Sequence, residues 1–119
     1  MSWKPDHGSP ICPQICEQMC VRIARGSLEP DSKLMSVREL AVKLGVNPNT
    51  VQRSFEQLEQ QGVLYSVPGT GWYVSADVTV AKNAVKRLMQ EHTAAYFAEM
   101  ENLGLDMAAT KQVIKEWEA

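Results

Sequence analysis

Five polar side chains suited to nucleic-acid contact occur within residues 47–53. They are Asn47, Asn49, Thr50, Gln52 and Arg53. Asn and Gln amides can pair with adenine edges, and Asn47 followed by Pro48 is typical of a helix start whose amides favour a phosphate. The same residues would also suit the solvated polar face of an ordinary helix. The neighbouring elements therefore decide between the two interpretations.

A shorter amphipathic helix precedes this segment. Ser36 followed by Glu39 is a capping box, and Gly45 ends the helix after a short apolar face. Only residues 45–47 separate it from the second helix, and two short helices around a glycine turn are typical of a helix-turn-helix. The expected buried positions are Val37, Leu40, Ala41 and Leu44 in the first helix, and Val51, Phe55 and Leu58 in the second.

A β-hairpin is predicted directly after the second helix. Residues 63–67 have strand composition, residues 68–71 read Pro-Gly-Thr-Gly, and residues 72–74 return as a second strand. A helix-turn-helix followed by a hairpin predicts a winged helix, whose wing tip lies along the DNA backbone or the minor groove. The predicted fold is thus mainly α with a small β-hairpin.

A first helix is predicted from Ile11 to about Arg25, after an arm formed by residues 1–10. It carries all three cysteines, Cys12, Cys16 and Cys20, at spacing four, beside an apolar stripe with the same spacing. Thiols on one helix face could bind a soft metal or sense oxidants. The favoured interpretation is that they pack as small apolar side chains, with no metal and no cofactor.

Residues 78–119 predict a helical pair, broken at Gly104 and restarted with Asp106 as N-cap. Two such helices are too small to form a ligand-binding core alone, so we expect them to dimerise with a second chain. The alternative is that they fold back on the winged helix of the same chain. The expected interface residues are Val85, Leu88, Met89, Tyr96, Met100, Leu103, Val113, Ile114 and Trp117, with the last three facing inward.

Charge and composition argue against several classes of protein, namely basic nucleic-acid-binding modules, enzymes and membrane proteins. The net charge is −2, with 7 Lys and Arg against 8 Asp and Glu in the predicted winged-helix domain, residues 1–77. The predicted tail domain, residues 78–119, carries 5 against 6, so neither is a basic module and any DNA contact rests on local geometry. Neither histidine sits in a catalytic arrangement, so no enzyme is predicted. Without a membrane-length apolar run or a signal peptide, a cytoplasmic protein without membrane contact is expected.

Residues 10–74 resemble the DNA-binding domain of GntR-family bacterial transcription regulators. The resemblance rests on the proline-started first helix, the SVREL-A-x-x-LGV segment, the NPNTVQR start of the second helix, and two glycines in the wing. The NPNT-QR form and a tail of only two helices resemble the YtrA-like branch. Many relatives have arginine at the position of Pro48, and cations in the wing where this chain has none.

This resemblance implies a homodimeric repressor of its own operon, which would include ABC-type transporter genes. It would bind a pseudo-palindromic double-stranded operator. The signal to which it would respond stays open between an unidentified small-molecule effector, a metal, a thiol oxidant and none. Two alternatives stay open, a winged-helix module that binds protein, and a thiol- or metal-responsive sensor. The residues implied in DNA contact are Arg38 in the SVREL segment, Asn47, Asn49, Thr50, Gln52 and Arg53 in the recognition helix, and Gly69 at the wing tip.

Overall fold

The computed structural model describes residues 3–118, and the predicted class, mainly α with one hairpin, is confirmed. Met1, Ser2 and Ala119, which the predicted arm and tail include, lie outside the described residues. Within residues 3–118 the elements are α1 (Ile11–Ala24), α2 (Val37–Leu44), α3 (Pro48–Gln60), β1 (Leu64–Val67), β2 (Gly71–Val74), α4 (Thr79–Asn102) and α5 (Met107–Glu116).

A single apolar core joins α1, α2, α3 and the hairpin. The predicted stripes supply it, and Val51, Phe55 and Leu58 of α3 have no exposed surface. Phe55 meets Trp72 of β2 edge to face, with ring centroids 5.6 Å apart. Burying a large apolar side chain contributes about 1.5–3 kcal/mol, so α3 is fixed by its inner face while its outer face stays free.

The hairpin is extended by the segment that precedes α2. β1 and β2 are antiparallel, with Leu64 opposite Val74, and both of these side chains are buried. The backbone N–H of Leu34 donates to the carbonyl oxygen of Trp72 at 2.8 Å, and Lys33 forms a single bridge with Tyr73. The wing is therefore anchored on both sides, to α3 and to the connector between α1 and α2.

Residues 3–10 of the N-terminal arm are held through one side chain of α1. The backbone N–H of Asp6 donates to Gln14 Oε1 at 2.8 Å, and Gln14 Nε2 donates to the carbonyl oxygen of Asp6 at 2.9 Å. Pro5 is buried and Trp3 packs against the core. Residues 3–10 thus add apolar side chains to the surface of the winged-helix core without forming a helix or strand.

The chain divides into two compact units between Val85 and Lys86, whereas the predicted boundary lies at residue 77. The first turns of α4 belong to the first unit, where Ala81 is buried and Val85 packs against the core. Asp77 starts this helix by accepting the backbone N–H of Thr79 at 2.9 Å. The pKa of Asp77 is lowered by its hydrogen bonds with the Thr79 side chain and backbone.

The second unit contains the rest of α4 and α5. Asp106 caps α5 as predicted, accepting the backbone N–H of Ala109 at 2.8 Å. The buried residue of α5 is Thr110, whose hydroxyl donates to the carbonyl oxygen of Asp106 at 2.8 Å. Val113, Ile114 and Trp117, predicted to face inward, are exposed in the single chain. In residues 3–118, no helix is both long and apolar enough to cross a membrane.

Candidate nucleic-acid interface

The turn between α2 and α3 is fixed by local sequence. The backbone N–H of Glu39 donates to Ser36 Oγ at 3.1 Å, as the capping box predicts. The Glu39 carboxylate accepts from the Ser36 hydroxyl, at 3.2 Å, in place of the Ser36 backbone N–H of the standard motif. Gly45 has φ 66°, and the backbone N–H of the next residue, Val46, donates to the carbonyl oxygen of Ala41 at 3.0 Å. Glycine adopts this left-handed conformation without steric cost, which lets the chain turn directly into α3.

The start of α3 is exposed and is capped by Asn47. Asn47 Oδ1 accepts the backbone N–H of Asn49 at 2.8 Å, and Pro48 occupies the first turn. The Asn47 side-chain carbonyl is therefore used by the helix, which leaves its amide nitrogen as the group that can contact a ligand. The N–H groups of this first turn make the site suited to a phosphate.

The predicted contact residues of α3 lie together on its outer face. Asn49 and Arg53 are exposed, while Thr50 and Gln52 are half-buried. Gln52 Nε2 donates to Glu56 Oε1 at 2.9 Å, which leaves the Gln52 carbonyl oxygen free to accept. The carboxylate of Glu56 therefore helps orient an amide suited to base edges, at the cost of a negative charge on this face.

The other two predicted contact residues lie on separate elements. Arg38 is exposed in the first turn of α2, and Gly69 lies at the tip of the wing. Gly69 has φ 77°, and a Cβ atom there would meet nothing within 4 Å. Its backbone can therefore approach a partner closely, whereas any other residue would be strained in this conformation.

One residue that positions the wing was not found from the sequence. Glu59 Oε2 accepts both the backbone N–H of Ser66, at 2.8 Å, and its hydroxyl, at 2.7 Å. These charge-assisted hydrogen bonds join the last turn of α3 to β1. Because the pair forms across a chain reversal, no periodic pattern indicates it.

The outer face of the wing is held by two tyrosines. Tyr65 and Tyr73 stack with ring centroids 5.4 Å apart and an interplanar angle of 14°. The Tyr65 hydroxyl donates to Asp31 Oδ1 at 3.0 Å, and this hydrogen bond raises the pKa of Tyr65. The wing thus presents a rigid pair of strands rather than a loose loop.

The cysteine stripe packs against α3. The Ser54 hydroxyl donates to Cys12 Sγ at 3.1 Å, and Cys16 Sγ donates to the carbonyl oxygen of Ser54 at 3.6 Å. Burial, followed by the proximity of Cys12, raises the pKa of Cys16 to about 12. Cys20 is buried, and residues 3–118 contain no cluster of three or more side chains able to hold a metal ion. The Cys16 thiol therefore stays protonated near neutral pH, and the packing role of the three cysteines stays a prediction.

Comparison with known proteins identifies the family to which the helices α2 and α3 and the hairpin belong. Residues 13–74, which include α2, α3 and the hairpin, match the family described as bacterial regulatory proteins, gntR family. The chain belongs to the GntR family. It is 31% identical over 113 residues to the HTH-type transcriptional repressor YtrA of Bacillus subtilis, an alignment that covers 94% of this chain and 87% of YtrA.

Solved structures agree with this assignment. A GntR-family transcriptional regulator from Listeria monocytogenes has a TM-score of 0.83 and 35% identity, covering 96% of this chain and 100% of that one. The DNA-binding domain of AraR, solved in complex with the operator ORE1, has a TM-score of 0.54 and 34% identity. That match covers 56% of this chain and 82% of the AraR chain.

The GntR-family resemblance predicted from the sequence, including its YtrA-like type, is therefore confirmed. The predicted winged helix-turn-helix is confirmed with it. This GntR protein is a DNA-binding transcription regulator, and its family consists of regulators. The roles of the individual contact residues, from Arg38 to Gly69, and of the tail residues stay predictions.

Proposed function

We propose that this GntR protein is a homodimeric repressor acting in the cytoplasm on its own operon, which includes ABC-type transporter genes. The observation that carries the proposal is the start of α3, where a capped, exposed helix end presents amides, a hydroxyl and Arg53. The repressor role is supported by the similarity to YtrA, which is described as a repressor. The operator complex of the AraR domain supports contact with duplex DNA.

In this proposal α3 enters the major groove. Asn49 and Arg53 contact base edges or phosphates, and Gln52 accepts from an exocyclic amine through its free carbonyl oxygen. Arg38 contacts the backbone from the start of α2, and Gly69 brings the wing tip close to the minor groove. Because Pro48 and the wing add no cation, recognition depends on hydrogen bonds and DNA shape more than on bulk charge.

The proposed dimer is supported by the apolar surface of the tail. The exposed large side chains there include Met89, Leu103 and Trp117, beside Met107 and Ile114. Soluble chains rarely leave such side chains clustered in water, and burial against a second copy would cover them. A two-fold dimer would then place the two recognition helices on half-sites about 10 bp apart.

The test is the affinity for DNA upstream of the protein's own operon, measured by fluorescence anisotropy at fixed salt. Arg38→Ala should weaken binding by about tenfold to 100-fold, because hydrogen bonds between charged groups, such as guanidinium and phosphate, contribute about 1.5–3 kcal/mol. Arg25→Ala is the matched control, since Arg25 is exposed at the end of α1, where its side chain donates to Ser27 Oγ, and is not among the predicted contact residues.

If Arg38→Ala and Arg25→Ala bind the operator DNA with equal affinity, Arg38 does not contact the DNA. Failure of the unmodified protein to bind any genomic fragment at low salt would contradict the proposed operator function as a whole. A monomer at micromolar concentration would contradict the dimer alone.

A further inference from the structure

An apolar cavity of about 240 Å³ lies within the winged helix, away from the exposed face of α3. It is bounded by α1, by the connector that follows it, by α2 and by α3. Its apolar lining consists of Met19, Leu28, Leu34, Met35, Leu40 and Phe55. A cavity of about 150 Å³ is large enough to hold benzene, so this one has room for a ring and a short polar arm.

The polar lining of the cavity is cationic. Arg22 and Lys33 both contribute to it, together with Ser27. The Nε atom of Arg22 is buried and has no hydrogen-bond partner among residues 3–118. A buried N–H group of a guanidinium is costly to leave unpaired, and native structures normally satisfy such groups with a protein atom, a water molecule or a ligand.

We propose that this cavity binds a small amphipathic carboxylate, an acid whose apolar body is about the size of one aromatic ring. The body would pack against Met19, Leu40 and Phe55, and the carboxylate would accept from the Arg22 guanidinium. Guanidinium groups bind carboxylates through paired N–H donors, and the Lys33 ammonium adds a second charge of the same sign. Inorganic phosphate would leave the apolar lining unfilled.

The position of the cavity indicates what such a ligand would affect. Phe55 belongs to α3, Leu40 to α2, and the backbone of Leu34 is hydrogen-bonded to Trp72 in the wing. A bound acid would therefore contact α2 and α3 directly, and would contact Leu34, which is hydrogen-bonded to the wing. This regulatory consequence rests on the proposed DNA-binding function, whereas binding of the acid does not.

The experiment is an NMR titration of the full chain, labelled at its methionine methyl groups, with phenylacetate as the probe. We expect saturable shifts of the Met19 and Met35 methyl signals at millimolar phenylacetate. Phenylacetamide, which has the same ring and no charge, should bind at least about tenfold more weakly. Unchanged Met19 and Met35 signals, or equal binding of the amide, would overturn the proposal.

The tail provides a second check within the same spectra. Met89 and Met107 line an open apolar groove between α4 and α5, which also contains Lys86 and Lys111. Shifts confined to these two methionines would show that phenylacetate prefers the tail, and the assignment to the winged-helix cavity would be wrong. Saturation at Met19 and Met35 with smaller, unsaturated changes at Met89 would support it.

Three variants test the two cations. Arg22→Met keeps an apolar stem without the guanidinium and should weaken phenylacetate binding about tenfold or more. Lys33→Met, at an exposed position, should weaken it a few-fold without affecting folding. Arg87→Met is the matched control, because Arg87 is exposed on α4 outside the cavity, and it should bind like the unmodified chain.

If Arg22→Met does not fold, Lys33→Met and the phenylacetamide comparison still decide the proposal. Equal binding of acid and amide would overturn it, and so would equal affinities of Lys33→Met and Arg87→Met. Arg38→Ala, which tests the DNA interface, should bind phenylacetate normally. A failed operator assay therefore leaves this result unaffected.

Discussion

The first unit buries most of its large apolar residues within one chain, whereas the second leaves many of them exposed. Phe55 of α3 has 0% of its surface exposed, but Leu103 and Trp117 of the tail have 78% and 72% exposed. Both regions show helical periodicity in the sequence, and both begin helices with well-formed caps. The difference indicates that amphipathic periodicity predicts which side chains form an apolar face. It does not predict whether that face is buried against the same chain.

The largest effect expected from this comparison concerns Phe55. Phe55→Ala should lower the free energy of unfolding of the first unit by about 3–5 kcal/mol, because it leaves a cavity where α3 meets Trp72. Urea denaturation followed by circular dichroism measures the change. Val42→Ala, at a position 81% exposed on α2, is the control and should change stability by no more than about 0.5 kcal/mol. Similar losses in the two variants would contradict the idea of a closed core.

The second effect concerns the exposed surface of the tail. Met89→Glu keeps a good helix former but places a charge where a second chain is expected, so it should weaken dimerisation by about 2–3 kcal/mol, roughly 30- to 150-fold. Sedimentation equilibrium measures the dissociation constant. Gln90→Glu adds the same charge at the neighbouring exposed position, and we expect a much smaller effect. A dimer unaffected by Met89→Glu would assign the interface to another surface.

The third effect concerns the helix N-caps, one in each unit. Ser36→Ala and Asp106→Ala each remove the side chain that accepts a backbone N–H at the start of a helix, at 3.1 and 2.8 Å respectively. Each should cost about 1 kcal/mol. Hydrogen exchange should show the loss in α2 for the first variant and in α5 for the second. Ser36→Thr keeps the acceptor and should retain most of the stability. Faster exchange throughout the chain in either variant would mean that the two units unfold together.

The features predicted correctly from the sequence are those that depend on neighbours along one helix. Ser36, Asn47 and Asp106 were identified as caps because each contacts residues two or three positions later. The apolar positions Val51 and Phe55 followed from the helical repeat and are buried. GntR-type motifs then connected these local elements into the winged helix.

The features that the sequence did not indicate depend on distances across the fold. Glu59 is joined to Ser66 through a chain reversal, and no repeat relates the two. Thr110 is buried while Val113 and Ile114, one turn later on the same face of α5, are exposed, because the helical repeat identifies a face but not how far along the helix that face is covered. Arg22 lies three residues after Met19, on the edge of the apolar stripe, and this spacing was the available signal that its side chain is drawn inward.

The smallest expected effect concerns the thiol between α1 and α3. Burial raises the folded-state pKa of Cys16 to about 12 from an ordinary value of 9.0. The unfolded chain therefore loses this proton first, and the contribution of Cys16 to stability is present below pH 9 and is lost as the pH rises towards 12. Cys16→Ala should flatten the decline of the unfolding free energy above pH 9. Because the thiol is only half-buried, the change should be well below the roughly 1.4 kcal/mol per pH unit of one fully displaced proton. Urea denaturation at a series of pH values measures the slope.

If Cys16→Ala gives the same slope as the unmodified protein, Cys16 ionises as readily in the folded chain as in the unfolded one. In that case the thiol would be accessible in the folded protein, and the contrast between a closed winged helix and an open tail would not extend to the contact of α1 with α3.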